Sequence, residues 1–65
     1  MVGYSTWVSI VRSESERMGA DLSQFEENSA VVSVAADVWN DRKEDLKDAS
    51  RAEAREVATD EITVS

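Results

Sequence analysis

The chain has 65 residues, with 14 Asp plus Glu against 7 Lys plus Arg, so its formal net charge is -7. A chain this short forms at most one small domain and buries only about 60% of its unfolded surface. It contains no Cys, His or Pro, which excludes a disulfide framework, a thiolate zinc site and ordinary histidine acid–base catalysis.

The first segment is predicted to form an amphipathic helix over about residues 5–18. Its apolar side chains recur at the spacing of one helix face, namely at Tyr4, Trp7, Val8, Val11 and Met18. Ser5 or Thr6 is the expected N-cap. Gly19 stands where a left-handed residue closes a helix C-terminus, so the first helix is expected to end there.

The second segment is predicted to be a helix that begins near residue 23 or near residue 29 and ends near residue 40. Ser23 and Glu26 have the spacing of a capping box. Four valines lie among the apolar side chains of its core-facing side, which are Val31, Val32, Val34, Ala35, Val38 and Trp39. Valine also favours a strand over residues 30–34. Because no comparable strand is available to pair with it, a helix is the preferred prediction.

The third segment is predicted to be a helix over about residues 42–58. Asn40 and Asp41 are expected to break the chain before it, since Asp41 and Glu44 again have capping-box spacing. Its apolar side is thin, with only Leu46, Ala49, Ala54 and Val57. Residues 59–65 are expected to be a flexible tail. The prediction is therefore an all-α fold, with one three-helix domain over residues 1–58.

The aromatic side chains are expected to form the core, because at helical spacing aromatic residues are usually buried and this small domain needs them. Trp7 and Trp39 are predicted to share that core with Tyr4, Val8, Val11, Val31, Val34, Ala35 and Val38. Phe25 is expected to be buried as well.

Several positions match a known family. Tyr4 and Trp7 form an aromatic pair near the start, residues 31–39 combine aliphatic and small residues with a final Trp, and Lys47 and Ala54 lie eight and fifteen residues after that Trp. In these features the chain resembles the HMG box, including the HMG-like part of plant YABBY proteins. The resemblance implies a three-helix domain that binds and bends DNA.

Under that resemblance, the side chains expected to contact phosphates are basic: Arg12, Lys43, Lys47, Arg51 and Arg55. The last four recur every four residues and drift slowly around one side of a helix. The same residues also fit a solvated helix face, because acidic residues lie within reach of each of them. The net charge of -7 opposes binding to duplex DNA.

No catalytic, cofactor or metal site is predicted. The serines have no base beside them, and the spaced carboxylates lack the glycine and the terminal Glu of an EF-hand loop. The preferred hypothesis is a non-enzymatic, acidic protein-interaction module, whose partner is a protein with a basic surface or a second copy. The alternative is an HMG-box-like DNA-binding protein. A location in the cytoplasm of a cell or a virus-infected cell is expected, without a membrane partner.

Overall fold

The computed structural model of the protein describes the backbone of residues 2–64 and the side chains of residues 2–63. Over this range the chain forms three helices, α1 (Tyr4–Arg17), α2 (Phe25–Asp48) and α3 (Arg51–Val64). α1 packs against both α2 and α3, so it is the central element. The predicted all-α class is confirmed for these residues, and residues 30–34 are helical.

The two ends of α1 are closed by different means. Its N-cap is Gly3, whose carbonyl accepts a hydrogen bond from the Trp7 amide at 2.9 Å, so the predicted capping by Ser5 or Thr6 is wrong. At the other end Gly19 has a φ of +105°, and the Ala20 amide donates to the Ser15 carbonyl at 2.9 Å. This is the Schellman arrangement, in which glycine adopts the left-handed conformation without steric cost.

α2 begins at Phe25, and its N-cap Gln24 makes no side-chain hydrogen bond. The Ser23 hydroxyl instead donates to the Asp21 carboxylate at 2.5 Å, so the predicted capping box does not form. The start near residue 23 is therefore the better of the two predicted starts. The two hydrogen bonds from Ser23, first from its hydroxyl and then from its amide, lower the pKa of Asp21.

The predicted break at Asn40 and Asp41 is confirmed in part, because the helix is interrupted by a kink at the next residue, Arg42, although it does not end there. α2 continues through both residues to Asp48, with one non-helical residue, Arg42 (φ -122°, ψ 24°), that kinks it. α2 and α3 are separated by residues 49–50. There the Ser50 hydroxyl accepts a hydrogen bond from the Glu53 amide at 3.2 Å. Ser50 thus caps α3. The segment predicted as one helix over residues 42–58 is divided between two helices.

α3 continues to Val64, so the predicted helix end near residue 58 is wrong. Ala58 is fully buried and Ile62 packs against the core. This packing stabilises the last turns of α3 as helix. The predicted tail also included residue 65, which lies outside the described residues.

Trp7 occupies the centre of the core. It is fully buried, and its indole Nε1 donates a buried hydrogen bond to the Ala35 carbonyl of α2 at 2.9 Å. The buried apolar residues are Val2, Trp7, Val11, Ala35, Val38, Leu46, Ala49, Ala54 and Ala58. The alanines of α3 let its backbone approach α1 closely.

The predicted core is confirmed in part. Trp7, Val11, Ala35 and Val38 are buried, whereas Val8, Val31, Val34 and Trp39 are half-buried around them. Tyr4 is 44% exposed and meets the Trp39 ring edge-on, with 5.6 Å between ring centroids. Phe25 is 82% exposed, so its prediction as a core residue is wrong.

Trp7→Ala should destabilise the fold more than Trp39→Ala does. Truncating a fully buried tryptophan costs about 3–5 kcal/mol, and Trp7 also loses its hydrogen bond. Trp39 is half-buried and leaves a smaller cavity. Urea unfolding followed by circular dichroism measures both costs. Equal losses of unfolding free energy in the two variants would contradict the central position of Trp7.

Ser50→Ala should lower the free energy of unfolding by about 0.5–2 kcal/mol, because α3 loses its N-cap. Ser29→Ala, at an exposed position inside α2, is the matched control and should be nearly neutral. Thermal melts of the two variants make the comparison. An unchanged melt for Ser50→Ala would mean that the α3 start does not depend on this hydroxyl.

Candidate functional site

Glu14 is a buried carboxylate at the contact between α1 and α3. Its side chain is 4% exposed. Arg17, on the same helix, approaches Oε2 through Nη2 at 2.6 Å and Nε at 2.9 Å. From α3, Arg55 Nε lies 3.3 Å from Oε1, and the Thr59 hydroxyl shares its proton between Oε2 at 3.2 Å and the Arg55 carbonyl at 3.0 Å. We call these four residues the Glu14 clasp.

The clasp explains why a carboxylate can be buried here. A buried charge is costly unless it is paired and hydrogen-bonded, and Glu14 has partners on both oxygens. The Arg17 hydrogen bond is the main cause that holds the pKa of Glu14 below its usual value. Burial opposes this effect, while the charges of Arg17 and Arg55 and the Thr59 hydroxyl reinforce it. No local sequence pattern marks Glu14 as a site residue.

The five predicted phosphate contacts are distributed over all three helices. Lys43 and Lys47 follow the kink in α2, whereas Arg51 and Arg55 lie on α3, after the two residues that separate the helices. Arg55 is held by Glu14. Arg12 is exposed on α1. The basic stripe predicted for a single helix is therefore divided.

The structure does bring Arg51 and Arg55 to one groove with α1. This polar groove has a volume of about 290 Å³. Its other lining residues are Thr6, Ser9, Ile10 and Ser13. It combines two guanidinium groups with three hydroxyls, which are groups that can donate hydrogen bonds to an anion. Arg42, the residue at the kink of α2, does not line this groove. It pairs with Glu61 of α3, with 3.6 Å between Nη1 and Oε1.

A second, apolar groove lies where all three helices meet. It has a volume of about 170 Å³. Its lining residues are Val11, Ser15, Ala30, Val31, Val34 and Ile62. Ala30 is exposed, and Val31, Val34 and Ile62 are half-buried. The wide apolar stripe of α2 was the sequence signal for it, although the valines were assigned to a closed core.

No carboxylate lines this groove, but three carboxylates lie on α2 about one helical turn from residues that do. Glu26 and Glu27 precede Ala30 by four and three residues, and Asp37 follows Val34 by three, so each shares a helix face with a lining residue. We call these three residues the acidic rim. All three are exposed. Phe25 lies on the opposite side of α2, because it precedes Val34 by nine residues, or two and a half turns.

The spaced carboxylates of the sequence do not gather into a cluster in the described part of the chain. Within residues 2–64, no three acidic side chains lie close enough together to hold a metal ion. In the same range, no helix is both long and apolar enough to cross a bilayer.

No protein-family model matches the chain, and comparisons with curated proteins and with solved structures find no match either. The HMG-box resemblance therefore stays a prediction.

Glu14→Gln should lower the urea midpoint at pH 7, since the two arginines lose their anionic partner. The pKa of Glu14 is lowered in the folded state, so its contribution is fully present above the usual pKa of 4.5. That contribution is lost as the pH falls through the folded-state pKa. The midpoints of wild type and variant should therefore converge in acid.

Glu16→Gln, which changes an exposed carboxylate on the same helix, is the matched control for this series. Its midpoint should follow that of the wild type more closely at every pH. A constant gap between Glu14→Gln and wild type from pH 7 to pH 2 would contradict the clasp.

Proposed function

We propose that this protein is a small acidic helical interaction module that binds a protein partner through a basic surface on that partner. The observation that supports this proposal is the use of arginine within the fold. Of 7 basic side chains, Arg17 and Arg55 pair with Glu14, and Arg42 pairs with Glu61. Of the 14 carboxylates, only Glu14 and Glu61 take part in the described ion pairs.

Twelve carboxylates therefore stand outside the described ion pairs, against four basic side chains, so the surface carries an excess of negative charge. A field of one sign speeds the encounter with an oppositely charged partner and discriminates against partners of like charge. Charge alone gives little affinity at physiological salt, so apolar contacts must supply the rest. The exposed Phe25 is one such contact, and it lies beside Glu26 and Glu27.

The role that suits this chemistry is that of an accessory, inhibitory or assembly-decorating protein, in a cell or a virus-infected cell. No step in it requires catalysis or a cofactor. Binding covers the acidic surface with a basic one and buries exposed aromatic area.

The second candidate is an HMG-box-like DNA-binding protein, and the polar groove that contains Arg51 and Arg55 is the observation in its favour. The net charge of -7 repels a duplex, and Arg55 already neutralises Glu14. We expect no affinity for duplex DNA beyond the non-specific range of about 10⁻⁴ to 10⁻⁶ M at physiological salt.

Phe25→Ala should weaken the complex at least about tenfold without changing the thermal melt, because the ring is 82% exposed and contributes little to the core. The partner is first captured from extracts of the source organism and purified. Its affinity is then measured by calorimetry at low and high salt. Ser33→Ala, at an exposed α2 position with no apolar surface to lose, is the control.

A basic partner whose affinity falls steeply with added salt supports the proposal. A captured partner with an acidic surface, or an affinity that does not respond to salt, contradicts it. Sub-micromolar binding to duplex DNA at about 0.15 M salt, abolished by Lys47→Glu with Arg51→Glu, would favour the DNA-binding candidate instead.

A further inference from the structure

We propose that the apolar groove is the docking site for a basic amphipathic helix of the partner. One apolar side chain of that helix enters the groove, and its flanking Lys or Arg residues pair with the acidic rim. This inference rests on the proposed function and specifies the chemistry of the partner segment at the groove; Phe25, on the other side of α2, contacts a different part of the same partner.

The groove has the size and lining that an apolar anchor requires. A cavity of about 150 Å³ with apolar walls accommodates a benzene ring, and this groove measures about 170 Å³. Val31, Val34 and Ile62 line it and remain half-buried. An entering leucine or phenylalanine removes both its own apolar surface and theirs from water, which is the main favourable term in such contacts.

The acidic rim determines the charge of the occupant. Glu26 and Asp37 are 11 residues apart on α2, which places them roughly 16 Å apart along the helix axis, with the groove between them. A partner helix lying along α2 meets both carboxylates when its basic residues are about three turns apart. The apolar anchor lies midway between them. This is the pattern of helix-in-groove recognition.

A second copy of the chain fits the groove less well. Its most exposed apolar side chain is Phe25, which carries Glu26 and Glu27 immediately after it. Inserting Phe25 would bring these carboxylates against the same residues of the rim. Two copies, each with a net charge of -7, also repel each other at long range.

The first experiment fills the groove. The probe is a synthetic 18-residue peptide of Lys and Leu whose leucines lie on one helix face, and the reference is a shuffled peptide of the same composition. Ala30→Met places a larger side chain at the exposed edge of the groove. Ala52→Met makes the same change at an exposed position on α3, so it is the control.

Fluorescence anisotropy at about 0.15 M salt should show that the wild type binds the amphipathic peptide at least tenfold more tightly than the shuffled one. Ala30→Met should lose that preference, whereas Ala52→Met should keep it. Circular dichroism checks that both variants are folded. If Ala30→Met binds like the wild type, the groove is not the site.

The second experiment separates the position of the charges from their number. Glu26→Lys with Asp37→Lys reverses two rim charges, and Asp45→Lys with Asp48→Lys makes the same change in net charge beyond the kink. The rim variant should bind the amphipathic peptide at least tenfold more weakly than the control variant. Equal weakening would overturn the docking site while leaving the acidic interaction module intact.

The remaining outcomes are also decisive. If the wild type binds neither peptide even at low salt, the proposed function fails together with this inference. Concentration-dependent dimers in sedimentation velocity that Ala30→Met abolishes would make a second copy the occupant and overturn the proposal. Loss of peptide binding in Phe25→Ala but not in Ala30→Met would place the site on the other side of α2.

Discussion

The contacts of the buried Glu14 carboxylate with Arg17, Arg55 and Thr59 are the interaction on which the position of α3 depends. Among the described side chains of α3, only the small ones of Ala54 and Ala58 belong to the buried core, with Val57 and Ile62 half-buried beside them. Such a thin apolar face determines a register poorly. The partners from α3, Arg55 and Thr59, are one helical turn apart and both meet Glu14. They therefore align α3 on α1.

The same interaction connects the fold to the surface chemistry. It engages two arginines with one buried carboxylate, so the remaining surface keeps its acidic excess. By aligning α3 it also places Ile62 opposite Val11 at the apolar groove. The position of α3, and with it the contribution of Ile62 to the groove, thus depends on one buried charge, whereas the acidic rim belongs to α2. The exposed Phe25 adds apolar area at the start of α2.

The sequence predicted the features that depend on local periodicity and failed where distant residues decide. The apolar spacing of α1 and the glycine at its end are local signals, and both were predicted correctly. Ser23 and Asp41 were predicted to open capping boxes, whereas the side-chain N-cap found in the structure, at Ser50, was not predicted. Glu14 and Thr59 are 45 residues apart, so no local pattern shows that they meet. Tertiary packing likewise decides whether a valine of α2 is fully buried or remains half-buried at the edge of the groove.

The most direct test of this account is a methyl-resolved nuclear Overhauser experiment on the wild type and on Glu14→Gln at neutral pH. The wild type should show contacts from the Ile62 methyl groups to Val11 and Val34 across the apolar groove. In Glu14→Gln these contacts should weaken, while the contacts between Val11 and Val31 that join α1 to α2 should persist. Unchanged Ile62 contacts in the variant would contradict the claim that the buried carboxylate positions α3.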